Sequence, residues 1–181
     1  DSIGRAYANY YTHQNSEKHF LVPGDRSDLR LKRALHLSYY NHAFGHQLRG
    51  AFPYGWLAIA SSRRRSARAG QFIRHLPSPA SGAQLLDVGC GGGGFLRIAR
   101  ALGFSPSGIE FDPAAASLAQ SQGFNIKVGA IADIEIAEAS IDHITLNHVI
   151  EHLHQPVAAL RRMLQWLRPG GRIWLQTPNI E

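Results

Sequence analysis

An acidic residue and the run of glycines that follows it are the residues of this chain that most directly indicate chemistry. Asp87 lies in a short apolar run, and five of the six positions from 89 to 94 are glycine. Glycine costs backbone entropy, so a cluster of it indicates positive φ angles or a backbone that a ligand must approach closely. The unpaired amides of a helix that begins after such a turn suit a carboxylate or a phosphate. This segment therefore predicts a ligand-binding turn.

The elements that would position this turn follow from the spacing of the apolar residues. The run at 85–88 predicts a buried parallel strand, and apolar residues at helical spacing over 95–102 predict a helix that Gly103 ends. Glu110 ends the next predicted strand, at 107–110, where a carboxylate can accept hydrogen bonds from both hydroxyls of a ribose. The glycines thus lie at a strand-to-helix turn, with a second acid on the following strand.

Two cofactors fit these residues. Gly89, Gly91 and Gly94 match the G-x-G-x-x-G fingerprint of NAD-binding folds, and the second acid lies at about the expected distance. Asp87, however, stands where NAD-binding strands usually carry an apolar or small residue, and an acid there can face a cationic amino group. The order of an acid, any residue and then Gly-x-Gly-x-Gly over 87–93 resembles the first motif of the class I S-adenosylmethionine-dependent methyltransferases. This resemblance favours S-adenosyl-L-methionine over NAD as the cofactor.

The resemblance also implies a fold and a role for each residue of the predicted site. The fold would be α/β, a Rossmann-like doubly wound sheet with strand order 3-2-1-4-5 and a helical N-terminal extension. Asp87 and the glycine amides would hold the amino-acid end of the donor and Glu110 the ribose, while Asp133 and Asn147 would meet the adenine and the methyl-bearing side. The residues that the resemblance assigns to cofactor binding are Asp87, Gly89, Cys90, Gly91, Gly93, Glu110, Phe111, Asp133 and Asn147.

Later segments continue the resemblance, which covers residues 83–180. Strands are predicted at 124–128 and 141–147, and helices at 114–122 and 156–167. Arg168-Pro-Gly-Gly171 then predicts a turn into a fifth strand, 172–177, and resembles the family's late Leu-x-Pro-Gly-Gly motif. Two further strands complete the family's sheet, whereas this chain ends at Glu181, so we expect a core truncated after strand five. One alternative is therefore a donor-binding module that is catalytically idle as it stands.

Two histidines and an acid follow the fourth predicted strand. His148 and His152 are the candidate catalytic bases, because an intrinsic histidine pKa near 6.5 suits proton transfer from a hydroxyl. With Glu151 they also spell the H-x-x-E-H pattern of some zinc peptidases, which needs a long helix around it. Here a strand runs into His148 and Pro156 follows closely, so we predict no metal. Alternatives are a divalent ion held against a catechol-type acceptor, Glu151 and His152 as caps of the turn, and a mere packing role for the two histidines.

Composition and charge indicate where the two parts of the chain divide. The 181 residues are 44% hydrophobic, no apolar run approaches the roughly 20 residues of a membrane span, and no signal peptide is visible. One cysteine excludes an internal disulfide, and we expect a cytoplasmic protein. Residues 1–79 carry 12 Lys and Arg against 4 Asp and Glu, whereas 80–181 carry 7 against 9. We predict a basic, mostly helical extension at 1–78 and the methyltransferase core at 79–181.

The basic extension allows several interpretations. Helices are predicted at 29–48 and 62–76, and the second carries Arg63, Arg64, Arg65 and Arg68. These arginines could bind RNA or an anionic membrane, but no aromatic residues are interleaved with them as a stacking platform requires, so a solvated helix face or a patch for an acidic partner is favoured. Tyr10, Tyr11 and His13 form an aromatic cluster that resembles a lid segment of some bacterial methyltransferases.

The function predicted from these patterns is transfer of a methyl group from S-adenosyl-L-methionine to an oxygen or nitrogen of a small molecule or glycan, by in-line displacement. The donor carries its own activation, so the protein would mainly supply orientation and desolvation. An RNA-binding methyltransferase that uses the basic half is the competing hypothesis.

Overall fold

The computed structural model describes residues 27–178, which divide into two compact units. One unit, the sheet unit, comprises residues 83–97 and 105–178. The other, the helical unit, comprises residues 27–82 and 98–104. The aromatic cluster predicted as a lid, at Tyr10, Tyr11 and His13, lies outside the described residues.

The sheet unit contains five parallel strands in the order β3-β2-β1-β4-β5. This order confirms the predicted 3-2-1-4-5 arrangement. Because all the strands are parallel, their carboxyl ends meet at one edge of the sheet, where open α/β sheets bind ligands. The strands are β1 (Gln84–Val88), β2 (Ser105–Glu110), β3 (Asn125–Val128), β4 (Ile141–Asn147) and β5 (Leu167–Gln176).

Helices connect the strands and build the helical unit. They are α1 (Ser27–Phe44), α2 (Trp56–Ala60), α3 (Arg63–Phe72), α4 (Gly94–Ala101), α5 (Pro113–Ser121) and α6 (Pro156–Trp166), with a short 3-10 helix at Ile150–His152. Both helices predicted in the basic extension end earlier than expected. The first, α1, ends at Phe44 and not at residue 48, because Gly45 follows with a φ of +75°. The second, α3, begins after Ser62, whose hydroxyl caps it, and ends at Phe72 and not at residue 76. The short helix α2 was not predicted from the sequence.

The start of the fifth strand was also predicted wrongly. Leu167 already pairs with Ile141, and the next matched pair is Arg172 with His143, so residues 168–171 form an excursion within the strand. Arg168 holds this excursion, because its Nη1 donates to Oδ2 of Asp142 at 2.6 Å. The Pro-Gly-Gly turn therefore interrupts β5 instead of preceding it.

Apolar side chains cover both faces of the sheet. Successive side chains of a strand point to opposite faces of the sheet, so Leu86 and Val88 of β1 and Ile144 and Leu146 of β4 lie in one cluster. Met163 and Trp166 of α6 belong to the same cluster. The opposite face carries a second cluster, whose buried members are Cys90, Leu96, Ala116, Ala119, Phe124 and Ile126. Asp87 alternates with Leu86 and Val88, so it belongs to this second face.

The helical unit is built on α1. The turn before α2 is tied to α1 by two hydrogen bonds, from Phe52 N to Ala34 O at 3.1 Å and from Trp56 N to Ser38 Oγ at 2.9 Å. The Trp56 ring also stacks on His42, with centroids 3.8 Å apart. In the part of the chain that the structure describes, no helix is long and apolar enough to cross a membrane.

Candidate functional site

The predicted site residues gather at the carboxyl edge of the sheet. The glycine loop, residues 89–94, follows β1, and its tight turn is fixed by two amides: Gly89 N and Cys90 N both donate to Ile109 O, at 2.8 and 3.2 Å. Gly89, Gly91 and Gly93 have φ angles of +72°, +52° and +82°. These conformations favour glycine, so the run of glycines follows from the backbone path of the loop.

Glu110 joins the glycine loop to the end of β2. Its Oε2 accepts a 2.6 Å hydrogen bond from Gly91 N, and its Oε1 accepts from Phe111 N and Asp112 N at 2.9 and 3.0 Å. An ionised carboxylate offers about four acceptor positions, so these three donors leave about one for a ligand hydroxyl. About one acceptor position of Glu110 therefore remains, whereas hydrogen bonds from two ribose hydroxyls were predicted from the sequence.

Asp87 is buried, with 1% of its surface exposed, and contacts a residue that the sequence analysis missed. Thr145, in register with Asp87 on β4, donates from Oγ1 to Oδ1 of Asp87 at 2.8 Å. Thr145 is fully buried, and a hydrogen bond to a charged acceptor in such a place is strong. The only signal for this pair was that both residues are polar positions within apolar strands.

Removing the Thr145 hydroxyl tests whether it positions Asp87. We expect Thr145→Val to lower the free energy of unfolding by about 1–3 kcal/mol, because the buried carboxylate loses a donor. Affinity for S-adenosylmethionine should fall about 3- to 10-fold as the carboxylate loses its fixed orientation. Thr145→Ser keeps the hydroxyl and should restore both quantities, measured by thermal melting and calorimetry. Equal affinities in the two variants would show that the hydroxyl serves stability alone.

His148 lies directly after β4 and has an unusual backbone. Its φ is +54°, a conformation that is uncommon outside glycine, and its N–H donates to Gln176 O at 2.9 Å. The ring Nδ1 lies 3.5 Å from Oε1 of Glu151. Strained backbone of this kind is concentrated at functional sites, and a carboxylate beside a histidine fixes the ring's tautomer and orientation. The structure therefore pairs His148 with Glu151, whereas His152 lies half-buried in the 3-10 helix.

The remaining predicted cofactor residues have distinct positions. Cys90 is buried against β2, where a Cβ on Gly108 would lie 2.5 Å from its Sγ, and the same Sγ donates to Gly91 O of the loop at 3.7 Å. Phe111 is exposed after β2, and Asn147 is half-buried at the end of β4. Asp133 is exposed in a turn, where its backbone N–H donates to Ala130 O at 2.9 Å. The Asp133 carboxylate has no hydrogen-bond partner among residues 27–178.

Two groups with shifted pKa values lie at the other edge of the sheet. Burial raises the pKa of Asp142, but hydrogen bonds from Gln84 N and Arg168, with the nearby positive charges, outweigh burial and lower it. Burial lowers the pKa of His143, the next residue. The negative charge of Asp142 acts in the opposite direction but is the smaller effect. Both lie at the amino-terminal end of β4, so they are structural groups and not part of the predicted site.

The zinc-peptidase arrangement does not form. His148 itself has a left-handed backbone and His152 is the last residue of a three-residue 3-10 helix, so the two histidines do not lie on one long helix face. Within the described range 27–178, no group of three or more His, Cys, Asp or Glu side chains could hold a metal ion.

A parallel sheet of this order, with a glycine-rich turn after β1 and an acid at the end of β2, is typical of α/β folds whose members bind nucleoside-containing cofactors at the carboxyl edge. A family model described as "Methyltransferase domain" matches residues 61–181. The chain belongs to this family, the class I S-adenosylmethionine-dependent methyltransferases.

Individual relatives agree with this assignment. The chain is 31% identical over 106 residues to a ubiquinone biosynthesis O-methyltransferase of Xanthomonas oryzae pv. oryzae. The aligned region covers 55% of this chain and 44% of the relative. The chain thus spans less than half the length of the curated relatives it matches. Among solved structures, an S-adenosylmethionine-dependent methyltransferase from Mesorhizobium loti superposes with a TM-score of 0.55 at 22% identity, covering 61% of this chain and 53% of that one. Phosphoethanolamine N-methyltransferase 1 of Haemonchus contortus, solved with phosphoethanolamine and S-adenosylhomocysteine, superposes with a TM-score of 0.54 at 17% identity. This superposition covers 84% of the present chain and 33% of the Haemonchus chain.

Proposed function

We propose that this protein transfers the methyl group of S-adenosyl-L-methionine to a hydroxyl oxygen of a small molecule. The observation that carries the proposal is the convergence of the glycine loop, Glu110 and the His148–Glu151 pair at one edge of the sheet. The printed name of the Xanthomonas relatives, an O-methyltransferase, supports oxygen as the atom methylated.

The residues present fit this donor better than they fit NAD. Asp87 and Glu110 are both buried carboxylates, at 1% and 6% exposure, beside the glycine loop. A poorly screened negative charge attracts an ammonium group and repels a pyrophosphate. Glu110 keeps about one acceptor position for a ribose hydroxyl while it holds Gly91 N. We further propose that Phe111, Asp133 and Asn147 contact the adenine and the methyl-bearing side of the donor.

The chain's own residues would then orient the reactants and move one proton. When bound, S-adenosylmethionine supplies a methyl group on a cationic sulfur, which an acceptor oxygen takes by in-line displacement while the electron pair of the broken bond stays on sulfur. His148 accepts the hydroxyl proton at Nε2, because its Nδ1 faces Glu151. Glu151 stabilises the imidazolium that forms. His152, predicted from the sequence as the alternative base, lies in the 3-10 helix that follows.

Titration of the donor tests the first half of the proposal. S-adenosylmethionine and NADH are injected separately into the purified chain in a calorimeter. We expect micromolar affinity for S-adenosylmethionine and none for NADH. Tight NADH binding would overturn the cofactor assignment, and donor binding without transfer to any hydroxyl probe would instead support the idle donor-binding module.

Replacing the base tests the second half. Asparagine tolerates the left-handed backbone of His148 but cannot act as a base, so His148→Asn should keep the fold. We expect turnover on 3,4-dihydroxybenzoate to fall about 100- to 10,000-fold with donor affinity unchanged. Glu151→Gln should have a smaller effect on turnover, and His152→Asn serves as the matched comparison. Equal losses at His148 and His152 would contradict the assignment of a single base.

A further inference from the structure

The helical unit carries a cluster of exposed apolar side chains that the proposed function does not use. We call it the apolar patch: Leu31 on α1, Phe52 and Tyr54 in the turn before α2, and Leu57 on α2, which are 59%, 53%, 78% and 52% exposed. Single exposed apolar residues are normal, but four on adjoining elements mark an interaction surface.

The elements that carry the patch are packed together. Leu31 lies one turn before Leu35 on the same face of α1. Leu35 contacts Gly55, since a Cβ there would lie 2.9 Å from Leu35 Cδ2. Phe52 N is bonded to Ala34 O at 3.1 Å, so both sides of the turn are held against that face.

The turn presents its aromatic side chains in a fixed backbone. Tyr54 has φ +57°, which is costly for a bulky residue and persists only where surrounding contacts impose it. Here the contacts are hydrogen bonds from Gly55 N to Phe52 O at 3.0 Å and from Leu57 N to Tyr54 O at 3.1 Å. Tyr54 thus has a strained backbone although its side chain is exposed to solvent.

Basic residues lie close in sequence to those of the patch. Arg30 and Lys32 flank Leu31 on α1, Arg49 precedes the turn, and Arg63, Arg64 and Arg65 begin α3 soon after Leu57; all six are exposed. Residues 27–82 hold nine Lys and Arg and a single acid. Arginines in the first turn of α3 oppose the helix dipole, so their placement does not serve the stability of that helix.

We infer that this patch docks the protein on an anionic lipid surface, with the apolar side chains in the interfacial layer and the basic residues on the headgroups. Aromatic and leucine side chains ringed by Lys and Arg are the composition that binds such interfaces. Two of the four apolar residues are leucines, which cannot stack on bases, so the patch suits lipid better than RNA. A second copy of the chain would bring two basic rims together, which like-charge repulsion disfavours.

Vesicle co-sedimentation tests the inference independently of methyl transfer. The 181-residue chain is spun with phosphatidylcholine vesicles containing either no or 30% phosphatidylglycerol. We expect binding to the anionic vesicles only, weakened by 0.5 M salt. Because each basic residue near such a surface contributes about 1 kcal/mol, Arg63→Gln/Arg64→Gln/Arg65→Gln should weaken partition about 100-fold. Phe52→Ser/Tyr54→Ser should weaken it about 10-fold or more.

Matched control variants distinguish the effect of the patch on vesicle binding from the effects of net charge and of the number of exposed apolar residues. Arg100→Gln/Arg161→Gln/Arg172→Gln removes the same charge from exposed positions outside the patch, and Val157→Ser/Leu164→Ser removes exposed apolar groups from α6. Both should bind vesicles as the unchanged protein does, and thermal melting confirms folding. Equal losses in patch and control variants would overturn the inference. So would binding of a single-stranded RNA 20-mer that the patch variants abolish while vesicle binding persists, or a patch-dependent dimer without vesicle binding.

Discussion

Replacing Asp87 by asparagine is expected to weaken binding of S-adenosylmethionine at least about 30-fold, the effect of losing about 2 kcal/mol from a buried charge interaction. The asparagine Oδ1 can still accept the hydrogen bond from Thr145, so the variant removes the charge but keeps the shape. The effect is large because Asp87 is 1% exposed, where water screens its attraction for an ammonium group poorly. Calorimetric titration of the donor measures it directly.

The control for this experiment removes one negative charge elsewhere on the sheet. Asp142 lies at the amino-terminal end of β4, at the edge opposite the predicted site, and is bonded to Gln84 N and Arg168. Asp142→Asn should lower stability slightly and leave donor affinity unchanged. If Asp87→Asn and Asp142→Asn bind the donor equally well, Asp87 has only a structural role in β1.

Gly89→Ala is expected to lower the free energy of unfolding by about 3 kcal/mol and the melting temperature by about 10 °C. Two costs add. A side chain at φ +72° costs about 1–2 kcal/mol, and a Cβ at this position would overlap Cγ2 of Val149, a stiff β-branched residue in the core. Forcing such an overlap typically costs about 1–3 kcal/mol more. Thermal and denaturant unfolding measure the sum.

Gly123 separates the two costs. Its φ is +76°, close to that of Gly89, but nothing lies within 4 Å of a Cβ built on it. Gly123→Ala should therefore lose only the backbone contribution. A double-mutant cycle of Gly89→Ala with Val149→Ala should show coupling of at least about 1 kcal/mol, because the smaller residue relieves the overlap. Equal destabilisation by the two alanines would mean that Val149 moves aside freely.

Much of the fold could be predicted from the sequence because its signals are local. The apolar run at 85–88, the glycines after it and the alternation at 141–147 identified β1, its turn and β4, and the family resemblance supplied the strand order. Boundaries were less certain where two signals compete. Pro169 and the following glycines indicate a turn, yet pairing of Leu167 with Ile141 starts β5 before them, because sheet pairing outweighed local turn preference.

The site was predicted only in part, for a physical reason. Residue types and their positions at strand ends indicated Asp87, Glu110 and His148, since chemistry at the carboxyl edge needs acids and bases there. Their partners could not be read from the chain. Thr145 is 58 residues from Asp87, and register alone brings them within 2.8 Å. Gly108 likewise appears ordinary until the tertiary structure lays Cys90 against it.

The sequence by itself thus determined the strand-and-turn pattern and the places of the acids near the ends of β1 and β2, because these depend on local backbone preference and residue type. Only the tertiary structure decided that Thr145 holds Asp87, that Glu151 faces His148 and that Glu110 binds the glycine loop. It also gathered the exposed residues of α1, the turn at 52–55 and α2 into one patch. Each of these relations is a distance between atoms, which exists only once packing has fixed where the separate elements lie.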